Sequence, residues 1–271
     1  MSTILPYPGG KHYGVKTLLP LVPPNVKVMS PFAGGCSLEL AIADPLNNRS
    51  FIYHDVRVQA YDIFEPLVVF WQAILHDAPS FSETLLKYTP LTKSRHRELQ
   101  DELRAWVNGG EQPVDAAAKY YAAVRASFSG MALKHGFSTH EVTRVKKRVR
   151  RAKLLAHFCA PLLKVDYGDF TDTIPNHPDE FLYCDPPYAL SLEVARKRKE
   201  DDLYGMAGSL HRDFDHAALR DLLVDREGWL LSYNDCKEVR QWYEGCWIEE
   251  RTWRHSIDSG AKMGKELVIR P

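Results

Sequence analysis

A four-residue motif, Asp185-Pro-Pro-Tyr188, places a carboxylate, two prolines and an aromatic ring next to one another. It directly follows the apolar run Phe181–Cys184, which predicts a buried strand that ends at the carboxylate. Consecutive prolines fix φ and remove backbone donors, so the carbonyls of the turn remain to accept hydrogen bonds. Open α/β sheets place their ligands at this end of a strand. The motif predicts a site for a planar ring that carries an amine, although a turn that only ends a strand has the same sequence.

The chemistry that suits this motif is transfer of a group to the amine. The lone pair of an amine on an aromatic ring is delocalised, and acceptors on its N–H groups favour a more tetrahedral, more nucleophilic nitrogen. The same acceptors stabilise the positive charge that develops on the nitrogen as a group arrives. If the donor is already activated, positioning supplies much of the remaining rate.

A glycine turn lies between two predicted elements near the start of the chain. Ser30–Glu39 follows an apolar run and leads into a helical pattern, and Gly34 and Gly35 would let a ligand approach the backbone closely. Asp55 ends the apolar run Phe51–His54, and an acid at the end of a second strand suits the two hydroxyls of a ribose. Neither feature is specific alone, because glycine turns are common and Asp55 could equally cap a helix.

Two further motifs carry groups that could join this ligand site. Tyr7-Pro-Gly-Gly-Lys11 allows a tight loop, and its lysine could meet a carboxylate or a phosphate. Gly168-Asp-Phe170 closes the predicted third strand, shortly before the strand that leads to Asp185. The histidines and cysteines show no spacing typical of metal ligands, so we expect no metal.

The elements that must position these motifs are short apolar runs separated mostly by helical patterns. This alternation predicts an α/β fold with a largely parallel sheet and crossover helices. The predicted strands are Val26–Phe32, Phe51–His54, Leu162–Tyr167, Phe181–Cys184, Trp229–Tyr233, Trp247–Trp253 and Glu266–Ile269.

The long interval between the second and third runs, residues 75–158, is polar and helical in pattern. Thr92–Val107 and Asp115–Phe128 are helix candidates with a Gly-Gly pair between them. We interpret the interval as a helical domain inserted into a sheet domain made of residues 1–74 and 159–271.

Positive charge is concentrated locally, since the whole chain has 35 basic and 35 acidic residues. Basic side chains fill most of the positions 144–153, where they would form either a phosphate-binding surface or a solvated helix face. An apolar stripe at helical spacing runs beside them and comprises Val142, Val145, Val149, Ala152 and Ala156.

Composition predicts a cytoplasmic protein. No apolar stretch approaches the length that a membrane span needs, and the first residues show no secretory signal pattern. The 5 cysteines are scattered and odd in number, which suits a reducing compartment and argues against a disulfide scaffold.

Taken in order, these motifs resemble those of the Dam-like (D12 class) N6-adenine DNA methyltransferases. The order is Pro-Gly-Gly-Lys, Pro-Phe-Ala-Gly-Gly, an acid after the second strand, a helical insertion, Gly-Asp-Phe and Asp-Pro-Pro-Tyr. Leu203-Tyr-Gly-Met206, Leu231–Asp235 and Lys265–Ile269 extend the resemblance over nearly the whole chain. It implies a mixed seven-stranded, Rossmann-like methyltransferase sheet with an inserted target-recognition domain, and site-specific methylation of adenine in double-stranded DNA.

The resemblance also implies a role for each motif. S-adenosylmethionine would be the cofactor, and a flipped adenine would lie against the turn, with Asp185 and the Pro186 carbonyl on its amine and Tyr188 stacked on its ring. The catalytic residues implied are Asp185, Pro186, Pro187 and Tyr188. The residues implied for the cofactor pocket are Tyr7, Lys11, Phe32, Ala33, Gly34, Gly35, Asp55, Asp169, Phe170 and Asp185.

DNA contacts are expected from the insertion and from the basic segments. Val124–Gly130 matches a recognition stretch of the family, but Ser129 stands where the family often has asparagine. Arg196-Lys-Arg-Lys199 lies in 189–209, which is either a loop that orders over bound DNA or a surface loop. The DNA-binding residues expected are Arg125, Ser127, Ser129, Arg144, Lys147, Arg148, Arg151, Arg196 and Lys197.

Some alternatives stay open at this point. An enzyme that methylates RNA adenine would have the same pocket, and a catalytically silent DNA-binding relative would keep the fold. Methylation of glutamine is disfavoured because such enzymes typically carry asparagine at the position of Asp185. The family also implies a cytoplasmic monomer of prokaryotic or phage origin, acting alone or beside a cognate restriction endonuclease.

Overall fold

A mixed seven-stranded sheet forms the centre of the molecule. The computed structural model describes residues 4–47, 56–105, 113–127, 130, 136–138, 140–189, 213–254 and 263–271. The strands are β1 Val28–Ser30, β2 Val58–Asp62, β3 Leu163–Tyr167, β4 Phe181–Cys184, β5 Trp229–Asn234, β6 Trp247–Arg254 and β7 Met263–Arg270. Their order across the sheet is β3-β2-β1-β4-β5-β7-β6. The pairings from β3 to β5 are parallel, and β7 pairs antiparallel with both β5 and β6. The predicted α/β fold is confirmed.

Helices connect the strands and fill the long interval before β3. They are α1 Val15–Leu18, α2 Ser37–Ile42, α3 Glu65–His76, α4 Ala78–Leu86, α5 Lys93–Arg104, α6 Pro113–Ala126, α7 His140–Thr143, α8 Val145–Leu155, α9 Phe170–Thr173, α10 His216–Val224 and α11 Lys237–Trp242. Short 3₁₀ turns occupy Leu19–Leu21 and Pro45–Asn47. Among the described residues, no helix is both long enough and apolar enough to cross a membrane.

Alternate residues of the central strands β1 and β4 enter two different hydrophobic cores, one on each face of the sheet. Val28 belongs to the first core and its neighbour Met29 to the second, and Tyr183 and Leu182 divide in the same way. This follows from the two-residue repeat of side-chain direction along a strand. Because both faces are covered, the central strands are apolar throughout, which is why their runs were visible in the sequence.

The helical interval shares a core with one face of the sheet. Helix α3 begins at Glu65 with a proline in its first turn and buries Phe70 and Trp71. Tyr121 of α6 stacks on Phe70. The buried side chains of α5, α6 and α8 join the same cluster as those of β2 and β3. The division into two domains at residues 75 and 158 stays a prediction.

Two sequence expectations need correction. The strand that pairs with β1 is Val58–Asp62, not Phe51–His54, which lies outside the described residues. The apolar stripe of the basic segment is interrupted, since Val142 and Val145 are 55% and 36% exposed. The reason is a break between α7 and α8 at Arg144, whose φ of −122° leaves the helical range, so only the later turns pack against α4.

Candidate active site

A cavity of about 390 Å³ opens at the carboxyl ends of β1, β2 and β4. Parallel strands bring their following loops to one edge of the sheet, so motifs far apart in sequence meet there. The predicted residues that line the cavity are Tyr7, Lys11, Phe32, Ala33, Gly34, Gly35, Asp169, Phe170, Asp185 and Pro187. Pro186 and Tyr188 lie in the same turn as Asp185, and Tyr188 contacts Lys11.

The glycine turn after β1 forms one wall of this cavity and depends on missing side chains. Gly34 has φ of +45°, a conformation that glycine adopts readily. A Cβ on Gly34 would lie 3.2 Å from the Tyr7 ring, and a Cβ on Gly35 would lie 3.0 Å from Tyr7 Cβ. The Gly34 carbonyl accepts a 2.9 Å hydrogen bond from the indole of buried Trp71, which fixes the turn from behind. The glycines therefore let the N-terminal loop close over the turn.

The acid at the end of the second strand is Asp62, not Asp55. Asp55 lies outside the described residues, whereas Asp62 ends β2 and lines the cavity. Its carboxylate accepts hydrogen bonds from Gly34 N at 3.0 Å and Phe64 N at 2.9 Å. Burial raises the pKa of Asp62 to about 6, although these backbone donors oppose the rise. The run Val58–Asp62 before the amphipathic pattern of α3 was the sequence signal for it.

Lys11 is the centre of the polar contacts beneath the Asp-Pro-Pro-Tyr turn. The lysine is only 3% exposed, and its Nζ donates to Asp185 Oδ1 at 2.5 Å and to Tyr188 Oη at 2.9 Å. Nζ also donates to the Gly9 carbonyl at 3.2 Å, within the loop that carries it. Lys11 therefore joins the N-terminal loop to both ends of the Asp185–Tyr188 turn, although more than half of the chain separates them in sequence.

Buried carboxyl groups surround this lysine. Burial raises the pKa of Asp185 to about 6, with the Lys11 charge opposing the rise and the Glu266 charge adding to it. Burial likewise raises the pKa of Glu39 to about 7, while a 2.8 Å hydrogen bond from Ser30 Oγ favours its charged form. Neither Glu39 nor Glu266 was predicted as a site residue, because each stands inside a run that otherwise indicates a helix or a strand.

Aromatic side chains form the apolar wall of the cavity. The Phe32 and Phe170 ring centroids are 5.7 Å apart, and Phe214 lies 5.6 Å from the first and 5.1 Å from the second. Phe214 comes from the segment before α10 and was missed because no sequence motif marks it. Asp169 has a structural contact as well, since its Oδ1 accepts from Thr171 N at 2.8 Å and caps α9.

The fold, the glycine turn and the carboxylate at the end of β4 can be compared with known families. The model of the D12 class N6 adenine-specific DNA methyltransferases matches residues 7–257 of the 271. The chain belongs to this family. No curated protein matched the chain. Membership of this family makes the protein an enzyme, an adenine-specific DNA methyltransferase. The matched span contains both the cavity and the helical interval.

The methyltransferase has a second, basic cavity of about 470 Å³. Arg125 from α6 and the predicted basic residues of α8 line it together with Ile4 and Phe158. The predicted DNA-binding residues that it brings together are Arg125, Arg144, Lys147, Arg148 and Arg151. We refer to these five residues as the basic groove.

Ser127, another predicted DNA-binding residue of the methyltransferase, does not line this groove. Ser127 is only 6% exposed, and its Oγ donates to the Ala123 carbonyl at 2.8 Å and contacts His96 Nε2 at 2.9 Å. The Ser127 hydroxyl is therefore buried and hydrogen-bonded within the helical interval, where a DNA base cannot reach it. Ser129, Arg196 and Lys197 lie outside the described residues. Over the described part of the chain, no group of three or more His, Cys, Asp or Glu side chains is arranged to hold a metal ion.

Proposed function

We propose that this methyltransferase binds S-adenosylmethionine in the 390 Å³ cavity and methylates N6 of an adenine that has rotated out of duplex DNA. The observation that carries the proposal is the position of Asp185, whose carboxylate lines the same cavity as the glycine turn. A cofactor on the turn and an amine on the carboxylate would then meet within one enclosed space.

The residues of the cavity fit the proposed cofactor. Its volume is in the range of about 300–1,000 Å³ that is usual for cofactor sites. Asp62 supplies an acceptor for ribose hydroxyls, and the phenylalanines supply apolar contact for a flat base. When bound, S-adenosylmethionine supplies an electrophilic methyl group from its sulfonium and leaves as the thioether. Nearby carboxylates stabilise the positive charge of a sulfonium. The cavity is lined by three acids, Asp62, Asp185 and Glu39, and by one cation, Lys11, which is paired with Asp185.

The Asp62→Asn variant tests this cofactor site. We expect S-adenosylmethionine to bind about 10- to 100-fold more weakly, because the amide offers one acceptor oxygen in place of two and no charge. Isothermal titration with the cofactor alone measures the dissociation constant without DNA or turnover. Asp166→Asn on the neighbouring strand β3 is the matched control, since Asp166 pairs with Lys164 and does not line the cavity. Equal weakening in both variants, or in neither, would remove Asp62 from the site.

Asp185 and the proline carbonyl behind it are proposed to act on the amine. The carboxylate has capacity beyond its contact with Lys11, because two oxygens offer about four acceptor positions. The amine N–H groups would be held by this carboxylate and by the Pro186 carbonyl while the N–CH₃ bond forms. One proton must leave the nitrogen, and we propose that Asp185, with a pKa of about 6, accepts it.

Base flipping is proposed because the carboxylate is recessed. Only 19% of the Asp185 side chain is exposed, and what is exposed lines the cavity. An adenine stacked within a duplex presents its amine in a groove, where a recessed carboxylate cannot reach it. Once the methylated position is mapped, 2-aminopurine in place of that adenine should brighten on binding. Unchanged fluorescence with intact binding would contradict flipping.

The basic groove is proposed to hold DNA phosphates, and its neutralisation gives a second prediction. We expect replacement of Arg144, Lys147 and Arg148 by alanine to weaken duplex binding and to flatten the slope of log K against log salt. Each lost phosphate contact should change that slope by about 0.9. Fluorescence anisotropy over a salt series measures both quantities. The matched control removes three exposed cations from α5 instead, namely Lys93, Arg97 and Arg104; an equal loss there would show that net charge, not the groove, is responsible.

Methyl transfer itself is tested with tritiated S-adenosylmethionine. Purified enzyme is incubated with unmethylated duplex DNA, with the same sequence as single strands, and with RNA, followed by nucleoside analysis. N6-methyladenine in duplex DNA supports the proposal, and its position gives the recognised sequence. Label in RNA alone would replace DNA by RNA as the substrate, and label on a different atom would contradict the amine chemistry.

A further inference from the structure

Glu266 is a buried carboxylate that the proposed reaction does not use. It lies on β7, the antiparallel strand beside β5, and its side chain is 0% exposed. Ser232 Oγ donates to its Oε2 at 2.9 Å, and the Trp253 indole donates to its Oε1 at 3.0 Å. Its Oε2 is 3.5 Å from Lys11 Nζ. Side chains from β5, β6 and β7 thus hold a carboxylate close to Lys11, the lysine that donates to Asp185.

Lys11, Asp185 and Glu266 form a buried cluster in which one positive charge faces two carboxylates. Lys11 is one cation between two carboxylates, since its Nζ is 2.5 Å from Asp185 Oδ1 and 3.5 Å from Glu266 Oε2. A buried charge is costly unless an opposite charge lies close to it. Without Glu266, the positive charge of Lys11 would be compensated only by the nearest acid. That acid is Asp185, and a carboxylate fully compensated by a lysine is a weaker acceptor for a nitrogen that gains positive charge. A second carboxylate on the lysine changes this balance.

We infer that Glu266 is the counter-ion of Lys11, and that this leaves the negative charge of Asp185 available to the substrate amine during methyl transfer. Glu266 is a positioning residue in this assignment, because it acts through Lys11 and does not line the cavity. Two neutral donors, Ser232 and Trp253, each give the carboxylate a hydrogen bond without adding a competing charge. The inference rests on the proposed role of Asp185.

The test is the pH dependence of kcat in the Glu266→Gln variant. We expect the plateau of kcat to fall about 10- to 100-fold, because Lys11 would then compensate Asp185 alone. We also expect the acid limb to move to lower pH, since a negative charge that favours protonation of Asp185 has been removed. A side chain that only supports the fold would lower kcat without moving the limb in this direction.

Other charged and titratable groups close to Asp185 are kept constant in this comparison. They come from the N-terminal loop, α2 and β4 and from the turn that follows it, and they are Lys11, Glu39, Tyr183, Cys184 and Tyr188. Glu250→Gln on β6 is the matched control, because it removes a carboxylate that is 55% exposed on the strand next to β7. We expect this control to keep the wild-type profile.

A second comparison does not require the single variant to fold. Lys11→Met combined with Glu266→Gln removes both members of a buried ion pair, which proteins tolerate better than the loss of one. We expect the kcat plateau of the double variant to stay within a few-fold of that of Lys11→Met alone, because the lysine through which Glu266 acts is absent from both proteins. A further fall of about 10- to 100-fold in the double variant, or a Glu266→Gln enzyme with wild-type kcat and limb, would overturn the inference.

These outcomes are distinct from a failure of the proposed function. If wild-type enzyme methylates adenine and loss of the Asp185 carboxylate abolishes turnover, the role of Asp185 stands whatever Glu266 does. If loss of that carboxylate leaves turnover intact, the proposed function and this inference fall together.

Discussion

An Asp185→Asn enzyme should bind S-adenosylmethionine and DNA but transfer methyl groups about 10²- to 10³-fold more slowly than wild type, the usual cost of one group that stabilises transition-state charge. Asparagine keeps the size of the side chain and one acceptor oxygen, so the turn before Pro186 should retain its shape. What it loses is the negative charge facing the amine and the ability to take a proton. The measurement is single-turnover transfer of the tritiated methyl group, which separates chemistry from product release.

The control for this variant is Asp172→Asn, an exposed acid on α9 close to the cavity that does not line it. It should transfer methyl groups at the wild-type rate. Titration of each variant with cofactor should give dissociation constants within a few-fold of wild type. If Asp185→Asn instead fails only in cofactor binding, the carboxylate belongs to the cofactor site and not to the amine.

The part of the site that could be predicted from the sequence is the part that lies at the end of an unbroken apolar run. The run Phe181–Cys184 is covered on both faces, and the proline after Asp185 stops it, so both bounds of β4 were readable. The glycine turn was readable for a similar reason, because Gly34 and Gly35 stand between β1 and α2. In both places a local rule of chain geometry fixes the position of the candidate residue.

The second strand shows where prediction from the local sequence pattern fails. Its sequence, Val-Gln-Ala-Tyr-Asp, alternates in polarity, and Gln59 donates to Asp166 of β3 at 3.0 Å. The nearby run Phe51–His54 is more apolar and was predicted to be the second strand. Asp55 was therefore predicted, in place of Asp62, as the acid that follows this strand. Hydrophobicity alone does not identify an inner strand whose polar side chains have partners on the neighbouring strand.

Contacts between distant segments were beyond the sequence altogether. Lys11 was expected to meet a carboxylate or phosphate, but only the fold shows that the partner is Asp185, 174 residues away. Glu266 stands in an apolar strand sequence, where a single acid gives no sign of its partners. Burial of charge is decided by which strands are neighbours, and the antiparallel insertion of β7 beside β5 sets that order here.

The Lys11→Met enzyme should show the second large effect, an acid limb displaced to higher pH. In the wild type, kcat should fall as the pH drops below about 6, the pKa of the carboxyl group that must be ionised. Lys11 lowers that pKa, so its removal raises it above the wild-type value, while the charges of Glu39 and Glu266 remain nearby. Activity at pH 7 should therefore drop about 10- to 100-fold and recover in part toward pH 9.

The recovery at high pH distinguishes an electrostatic role for Lys11 from a structural one. If Lys11 only tied the N-terminal loop to the turn, its loss would lower kcat equally at every pH, because the loop geometry does not titrate in this range. Lys16→Met on α1 is the matched control, since that lysine is exposed and should leave the profile unchanged. The direction in which the acid limb moves is the decisive observation. Loss of Lys11 must move the limb to higher pH and loss of Glu266 must move it to lower pH, because the two charges act on the Asp185 carboxylate with opposite signs.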